Sequence, residues 1–265
     1  MKVLISHPTS NQNNRAVAQS IQKANLLYQF HTSIASFPNT FLYKLSKINL
    51  LKEVKRREFN ASLRAFTHAH PWLELGRLAC TKFGFQKLYE SENSLFSVDE
   101  VYKNIDNKIA HIINKNTSHD ISIVYGYEDG AYESFQAAKK KGISCFYELP
   151  IAYWEKREQL MTQEIERLPE WEQTWKGGLT DSNEKLKRKT KELQLADTII
   201  VPSRFVKDSL PAWAKEKRII TVPFGTPPIP SKIDSDEKNN IEKPLRVLFV
   251  GSMSQRKGLG DLLKL

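Results

Sequence analysis

Residues 121–154, ISIVYGYEDGAYESFQAAKKKGISCFYELPIAYW, decide the fold. Ile121–Tyr125 is a short run rich in β-branched and aromatic residues, followed by a glycine-bearing turn and a helical pattern over Tyr132–Lys140. Ile143–Tyr147 then repeats the strand pattern. A strand, a helix and a strand joined by short turns predict a parallel pair bridged by a crossover helix.

The same order extends both ways. Towards the N-terminus, Lys2–Ser6 reads as a strand, His7–Asn14 as a polar turn, Ala16, Val17, Ile21 and Leu26 as a helical stripe, and Tyr28–Ala35 as a strand. Towards the C-terminus come a long helical region Trp154–Leu195, a strand Thr198–Val201, a short helix from Ser203 and a strand Arg218–Val222. The fold class expected is α/β, a doubly wound parallel sheet covered by helices. Pro227, Pro228, Pro230 and the charged Ser231–Lys243 read as a linker. The expected division is a first domain over 1–225, a linker over 226–245 and, over 246–265, the opening strand Arg246–Val250 and helix of an incomplete second domain.

Composition bounds the function. At 265 residues, 40% hydrophobic and 26% charged, the chain is that of a globular protein with room for a core, not a disordered or fibrous one. No apolar run reaches the ~20 residues of a membrane-spanning helix and MKVLISHPTS is not a signal peptide, so a cytoplasmic address is expected. Cys80 and Cys145, far apart and without Cys-x-x-Cys spacing, read as reduced thiols in or near the core. The formal charge of +10 favours a polyanionic partner: nucleic acid, an anionic membrane or a phosphorylated substrate. No nucleic-acid-binding motif is present, so nucleic acid is not expected.

In a doubly wound sheet ligands gather beyond the carboxyl ends of the strands. The first such turn lacks both Gly-x-Gly-x-x-Gly and a P-loop, which disfavours a dinucleotide cofactor. Its Thr9, Ser10, Asn11 and Asn13 suit hydroxyls or one phosphate group, or equally a plain helix cap. Tyr127, Glu128 and Asp129 follow the 121–125 strand, and Glu148 and Trp154 follow the next one, so aromatic and acidic residues recur at successive strand ends. Glu128 and Asp129 read either as partners of sugar hydroxyls or a base, or as an acidic helix cap. His68 and His70 lack a third metal ligand; His70 could contact a sugar, and Trp72 is expected to pack structurally. Phe41–Leu51 with Lys52, Lys55, Arg56 and Arg57 is a basic amphipathic segment, either a core-covering helix with a solvated basic face or a contact for anionic lipid. Lys185–Lys191 reads as a solvated helix face.

Three segments carry a family resemblance. Leu195–Lys207 (LADTIIVPSRFVK), Ile220–Thr226 (ITVPFGT) and Leu248–Gly258 (LFVGSMSQRKG) resemble, in order and spacing, segments of the retaining glycosyltransferases of family 4. The resemblance implies the GT-B architecture, in which a Rossmann-like N-terminal domain holds the acceptor and a second domain the nucleotide-sugar. It implies transfer of a sugar to a glycan, lipid-linked or small-molecule acceptor without a bound metal or other cofactor. By the resemblance Lys257 matches the family's phosphate-binding lysine and Ser252 stands where many relatives have arginine, with Gly251 and Arg256 completing the candidate donor-phosphate turn; the residues at the strand ends add His70 and Glu128 as the candidate catalytic residues. The glutamate pair of that family falls beyond Leu265, so the isolated chain is expected to be inactive. The alternative is a non-catalytic carbohydrate- or partner-binding paralogue.

Overall fold

The computed structural model describes residues 1–40, 56–118, 120–175, 181–226 and 247–265. The elements are β1 (Lys2–Ser6), α1 (Gln12–Lys23), β2 (Leu27–Thr32), β3 (Thr67–Ala69), α2 (Trp72–Phe83), α3 (Val98–Lys115), β4 (Ile121–Tyr127) and α4 (Tyr132–Lys140). They continue with β5 (Ser144–Glu148), α5 (Trp154–Arg167), α6 (Asn183–Leu195), β6 (Thr198–Val201), α7 (Arg204–Asp208), β7 (Arg218–Thr221) and α8 (Leu259–Leu262). The strands form one seven-stranded sheet in the order β3-β2-β1-β4-β5-β6-β7, and every pairing is parallel. The α/β doubly wound class expected from the sequence is the one observed.

Alternation along the strands explains why both faces are covered. In β1, Leu4 joins one apolar cluster while Val3 and Ile5 join another; in β4, Val124 joins the first and Tyr125 and Tyr127 the second. The first cluster takes Ile105, Ile109 and Ile113 of α3, Phe135 of α4 and Leu193 of α6; the second takes Ala18 of α1 with Phe59 and Leu63. Each large side chain buried this way contributes about 1.5–3 kcal/mol, so neither face is dispensable. Because α1 and α4 lie on opposite faces, right-handed crossovers carry the chain outward in opposite directions from β1 and β4. The switch point therefore falls between β1 and β4, at the turns 7–11 and 128–131.

Three local readings are corrected. The long helix expected over Trp154–Leu195 is interrupted: α5 ends at Arg167, Pro169 opens a 3-10 turn through Thr174, and Ser182 caps a new helix by accepting the Lys185 N–H at 3.2 Å. Proline cannot donate into a continuing helical ladder, and serine stabilises a fresh start. The second correction is the strand expected at Arg246–Val250. Its described part, residues 247–250, pairs with no strand among the described residues, and a lone strand leaves its backbone groups unsatisfied. The third is Trp72, which is 82% exposed rather than packed.

Contacts divide the chain into two units, residues 1–156 with 181–223, and residues 157–180 with 224–265. The first unit holds the sheet. In the second, Gln255 donates to Glu164 (2.6 Å) and Asp261 (2.8 Å) and accepts the Gly260 N–H (2.8 Å), while Arg167 pairs with Asp261. Residues 41–55, in the expected lipid-contacting segment, and 227–245, in the expected linker, lie outside the described residues. Among the described residues no helix is long and apolar enough to cross a membrane.

Candidate functional site

At the end of β1 the turn is held by hydrogen bonds that its serines and asparagines make possible. Asn11 and Asn14 cap α1 reciprocally, each accepting the other's backbone N–H at 3.1 Å. Ser10 takes a positive φ of 44° and is buried; its N–H donates to His7 Nδ1 (2.8 Å), and its hydroxyl oxygen lies 2.6 Å from Thr32 Oγ1 and 2.9 Å from the His7 carbonyl. Burial drives the His7 imidazole down to about 3. The ring is neutral, and because Nδ1 accepts, its proton sits on Nε2. His7 meets the Tyr127 ring edge-on at 4.6 Å, which joins the β1 turn to the end of β4. Asn11 remains exposed and Asn13 and Thr9 half-buried.

Glu148, at the end of β5, lies opposite Tyr127 of β4 and accepts the Tyr125 hydroxyl at 2.6 Å. Burial raises its carboxyl above the usual range, and bonds from the two tyrosines oppose that shift. Trp154 is half-buried and donates from Nε1 to Thr190 Oγ1 at 3.2 Å, the atom that also meets the Tyr153 hydroxyl.

Glu128 and Asp129 are next to a buried cation. Lys189 of α6 is 1% exposed, with Nζ 2.8 Å from Asp181, 3.5 Å from Asp129 and 3.7 Å from Glu128. Burial would depress its ammonium, but the surrounding carboxylates hold it above the ordinary lysine value. Arg188 pairs with Asp99 of α3 and lies 3.9 Å from Asp129. The reading of Lys185–Lys191 as a solvated face is thus corrected at two positions. Lys189 precedes the buried Leu193 by four residues, so both lie on the inward stripe of α6. Arg57 is corrected likewise: it is buried and paired with Glu74, which Arg77 also binds at 2.8 Å.

The N-terminus of α4 is closed from within. Asp106 of α3 accepts the N–H groups of Glu133 (2.7 Å) and Ser134 (3.0 Å), and Glu192 of α6 accepts those of Asp129 (3.0 Å) and Ala131 (3.2 Å). Two carboxylates thus fill the place where a free helix start would attract a phosphate. Glu192 is fully buried, which pushes its carboxyl well above the usual range, an effect that the Asp129 charge reinforces and the Ala131 N–H opposes.

His70 belongs to a separate cluster at the β3 edge. His31 stacks with His68 and His70, ring centroids 4.9 and 5.3 Å apart, and its Nδ1 lies 3.0 Å from His70 Nε2. Gln29 Oε1 can only accept, so His31 Nε2 donates to it at 3.0 Å and His31 Nδ1 accepts from His70. His70 Nδ1 is then the unprotonated nitrogen. Burial, with Lys108 and His68 adding to it, lowers His70 to about 4. His70 also lines a shallow hollow of about 390 Å³ with Asn104, Asn107, Lys108, His111 and Ile112. Parallel rings do not converge on one point, and among the described residues no group of three or more His, Cys, Asp or Glu side chains is arranged to hold a metal.

In the second unit Gly251, Ser252, Arg256 and Lys257 are all exposed. Gly258 (φ 72°) ends the 3-10 turn carrying Arg256 and Lys257, and a Cβ on Gly251 would stand 3.1 Å from the Lys257 side chain. The residues that sequence reasoning missed are Lys189, Arg188 and Glu192. Helical spacing with Leu193 was the available signal for Lys189.

No protein-family model matches the chain, and no curated protein does. Solved structures do align with it. One is a UDP-glucosyltransferase from Polygonum tinctorium capable of glucosylating indoxyl, in complex with 3,4-dichloroaniline: 12% identity and a TM-score of 0.39, over 83% of this chain and 52% of that one. Another is LpCGTa in complex with UDP, with 8% identity and a TM-score of 0.43 over 85% of this chain and 53% of that one. The chain thus spans about half the length of these structures.

Proposed function

We propose that the chain contributes the acceptor side, and the start of the donor side, of a glycosyltransferase that moves a sugar from a nucleotide-sugar to an acceptor hydroxyl with retention, in the manner of family 4. The observation that carries this is the ordered trio of segments Leu195–Lys207, Ile220–Thr226 and Leu248–Gly258. The first contains β6 and the start of α7, and the second runs from the last two residues of β7 into the turn beyond it.

In this reading the acceptor is a glycan, a lipid-linked sugar or a small molecule, held at the β1 and β4 turns by Asn11, Asn13, Asp129 and Glu128. His70, neutral at physiological pH with Nδ1 bare, accepts a hydrogen bond from a hydroxyl; a group titrating near 4 is a weak base and serves better to orient than to deprotonate. Arg256 and Lys257 meet the leaving diphosphate, where paired cations stabilise developing charge. No cofactor is required.

The test joins this chain to a complete donor-binding domain and measures nucleoside diphosphate released from UDP-, GDP- and ADP-sugars over a broad acceptor panel. Release that falls on Lys257→Ala supports the reading. Silence with every donor refutes it.

A further inference from the structure

We propose that α2 and the turn after it form a docking surface for an anionic lipid bilayer, independently of whether the protein transfers sugars. The surface is an apolar stripe that no element among the described residues covers. Trp72, Leu75, Ala79 and Phe83 recur at helical spacing along one face of α2 and all four are exposed, Trp72 at 82% and Phe83 at 69%. Phe85 and Leu88 extend the apolar surface past Gly84, the left-handed residue that ends the helix.

The opposite face fixes which way the stripe points. Glu74 and Cys80 are buried, and Glu74 is neutralised by Arg57 and Arg77. A Cβ on Gly76 would stand 2.2 Å from the Phe96 ring, so the two elements are in close contact, and the Phe96 N–H donates to the Leu88 carbonyl at 2.9 Å. Phe96 therefore anchors the turn beside α2, with the exposed Leu95 next to it. This apolar surface is held in place by the fold and is not a frayed end.

Charge selects the occupant. The exposed ionisable residues within 72–88 are the cations Lys82 and Lys87, with the exposed Glu90 just past Leu88 and the half-buried Glu92, held by Ser182, before Leu95; Lys82 Nζ lies 6.0 Å from the Phe83 ring centroid. A second copy of the chain would bring the same cations and the same +10 against this face, which opposes self-association. A tryptophan at one end of an amphipathic helix, apolar side chains along it and lysines at its border match the boundary between anionic headgroups and acyl chains. A convex helix face can enter that boundary without needing a partner of complementary shape.

The experiment is co-sedimentation of the intact chain with vesicles of mixed phosphatidylglycerol and phosphatidylcholine, against vesicles of phosphatidylcholine alone, leaving residues 41–57 unaltered throughout. Binding to the anionic vesicles is expected to fall roughly tenfold in Trp72→Ser/Phe83→Ser, and by a similar factor in Lys82→Glu/Lys87→Glu. Raising the salt should weaken the wild type and leave the lysine variant little changed. These positions are exposed, so both variants should keep the wild-type circular dichroism spectrum and melting temperature. Wild-type binding in either variant, or equal binding to neutral and anionic vesicles, overturns the proposal. So does a dimer in light scattering that Trp72→Ser/Phe83→Ser dissolves, because the stripe would then belong to a second copy.

Discussion

Replacing Lys189 by methionine removes a cation that three carboxylates share. The Nζ, itself buried, lies 2.8 Å from Asp181, 3.5 Å from the partly exposed Asp129 and 3.7 Å from the buried Glu128. Removing one partner of a buried pair costs about 3–5 kcal/mol, because the remaining charge is left without compensation. Lys185 also contacts Asp181 at 2.8 Å and survives the change, which places the expected loss near the lower end, about 3 kcal/mol. For a domain of this size ~1 kcal/mol moves the melting temperature by ~2–4 °C, so a fall of roughly 6–12 °C is expected at pH 7. The pH dependence has a definite sign. Burial would raise the Asp181 carboxyl, but Lys185 and Lys189 hold it below its ordinary value. That stabilisation is present above the unfolded carboxylate pKa and is lost as pH falls through the folded one. Lys189 itself is held above the ordinary lysine value, so its share is present below that value and lost only as pH rises through the folded pKa. The difference between wild type and variant should be level from about pH 5 to 9 and narrow below about pH 4. Scanning calorimetry of Lys189→Met beside the exposed Lys187→Met tests it. Equal melting temperatures for the two variants at pH 7 would falsify the buried-cation argument.

Further expectations are equally direct. Gly76→Ala drives a Cβ to 2.2 Å from Phe96 and should cost about 1–3 kcal/mol in urea unfolding, with Phe96→Leu in the same chain recovering part of it; additive losses would contradict the contact. His7 and His31 titrate near 3 when folded, so the unfolded chain takes up protons first below about pH 6.5, and each residue should cost about 1.4 kcal/mol of stability per pH unit from there towards 3. An unchanged acid slope in His31→Asn would show that this imidazole is not held neutral. Tyr125→Phe leaves a buried Glu148 carboxyl without its 2.6 Å donor and should destabilise by about 1–3 kcal/mol at pH 7, with Glu148→Gln in the same background restoring part of the loss.

The sheet was legible because its strands are locally encoded. Runs such as KVLIS, ISIVY and TIIV announce themselves by β-branched content, and the turns between them by Gly, Pro and Asn. The polar turn at His7–Asn14 and the clustering of Tyr127, Glu128 and Glu148 at strand ends followed from the parallel topology alone. What local pattern could not supply was partnership over long separations. Arg57 and Lys189 look like solvated charges in sequence, and only packing against Glu74 and Asp181 makes them interior groups. Trp72 misled in the opposite direction, since a tryptophan is ordinarily placed in the core and here no described element covers it. The helical pattern across 154–195 hid a break because its charged residues suit either one long helix or two shorter ones.

The turn ahead of α4 depends on carboxylates made at very different times. Asp106 precedes the helix it caps, whereas Glu192 lies 61 residues beyond Ala131 and 63 beyond Asp129. In a chain growing from its N-terminus, α4 can be capped by Asp106 as soon as it emerges, but the 129–131 amides stay open until α6 has been synthesised and docked. Closure of the β4 end therefore waits on α6, whereas the start of α4 does not. In the finished protein the amide protons of Asp129 and Ala131 should exchange with solvent only when α6 lifts away, so their exchange rates report on the cohesion of a contact that spans a quarter of the chain.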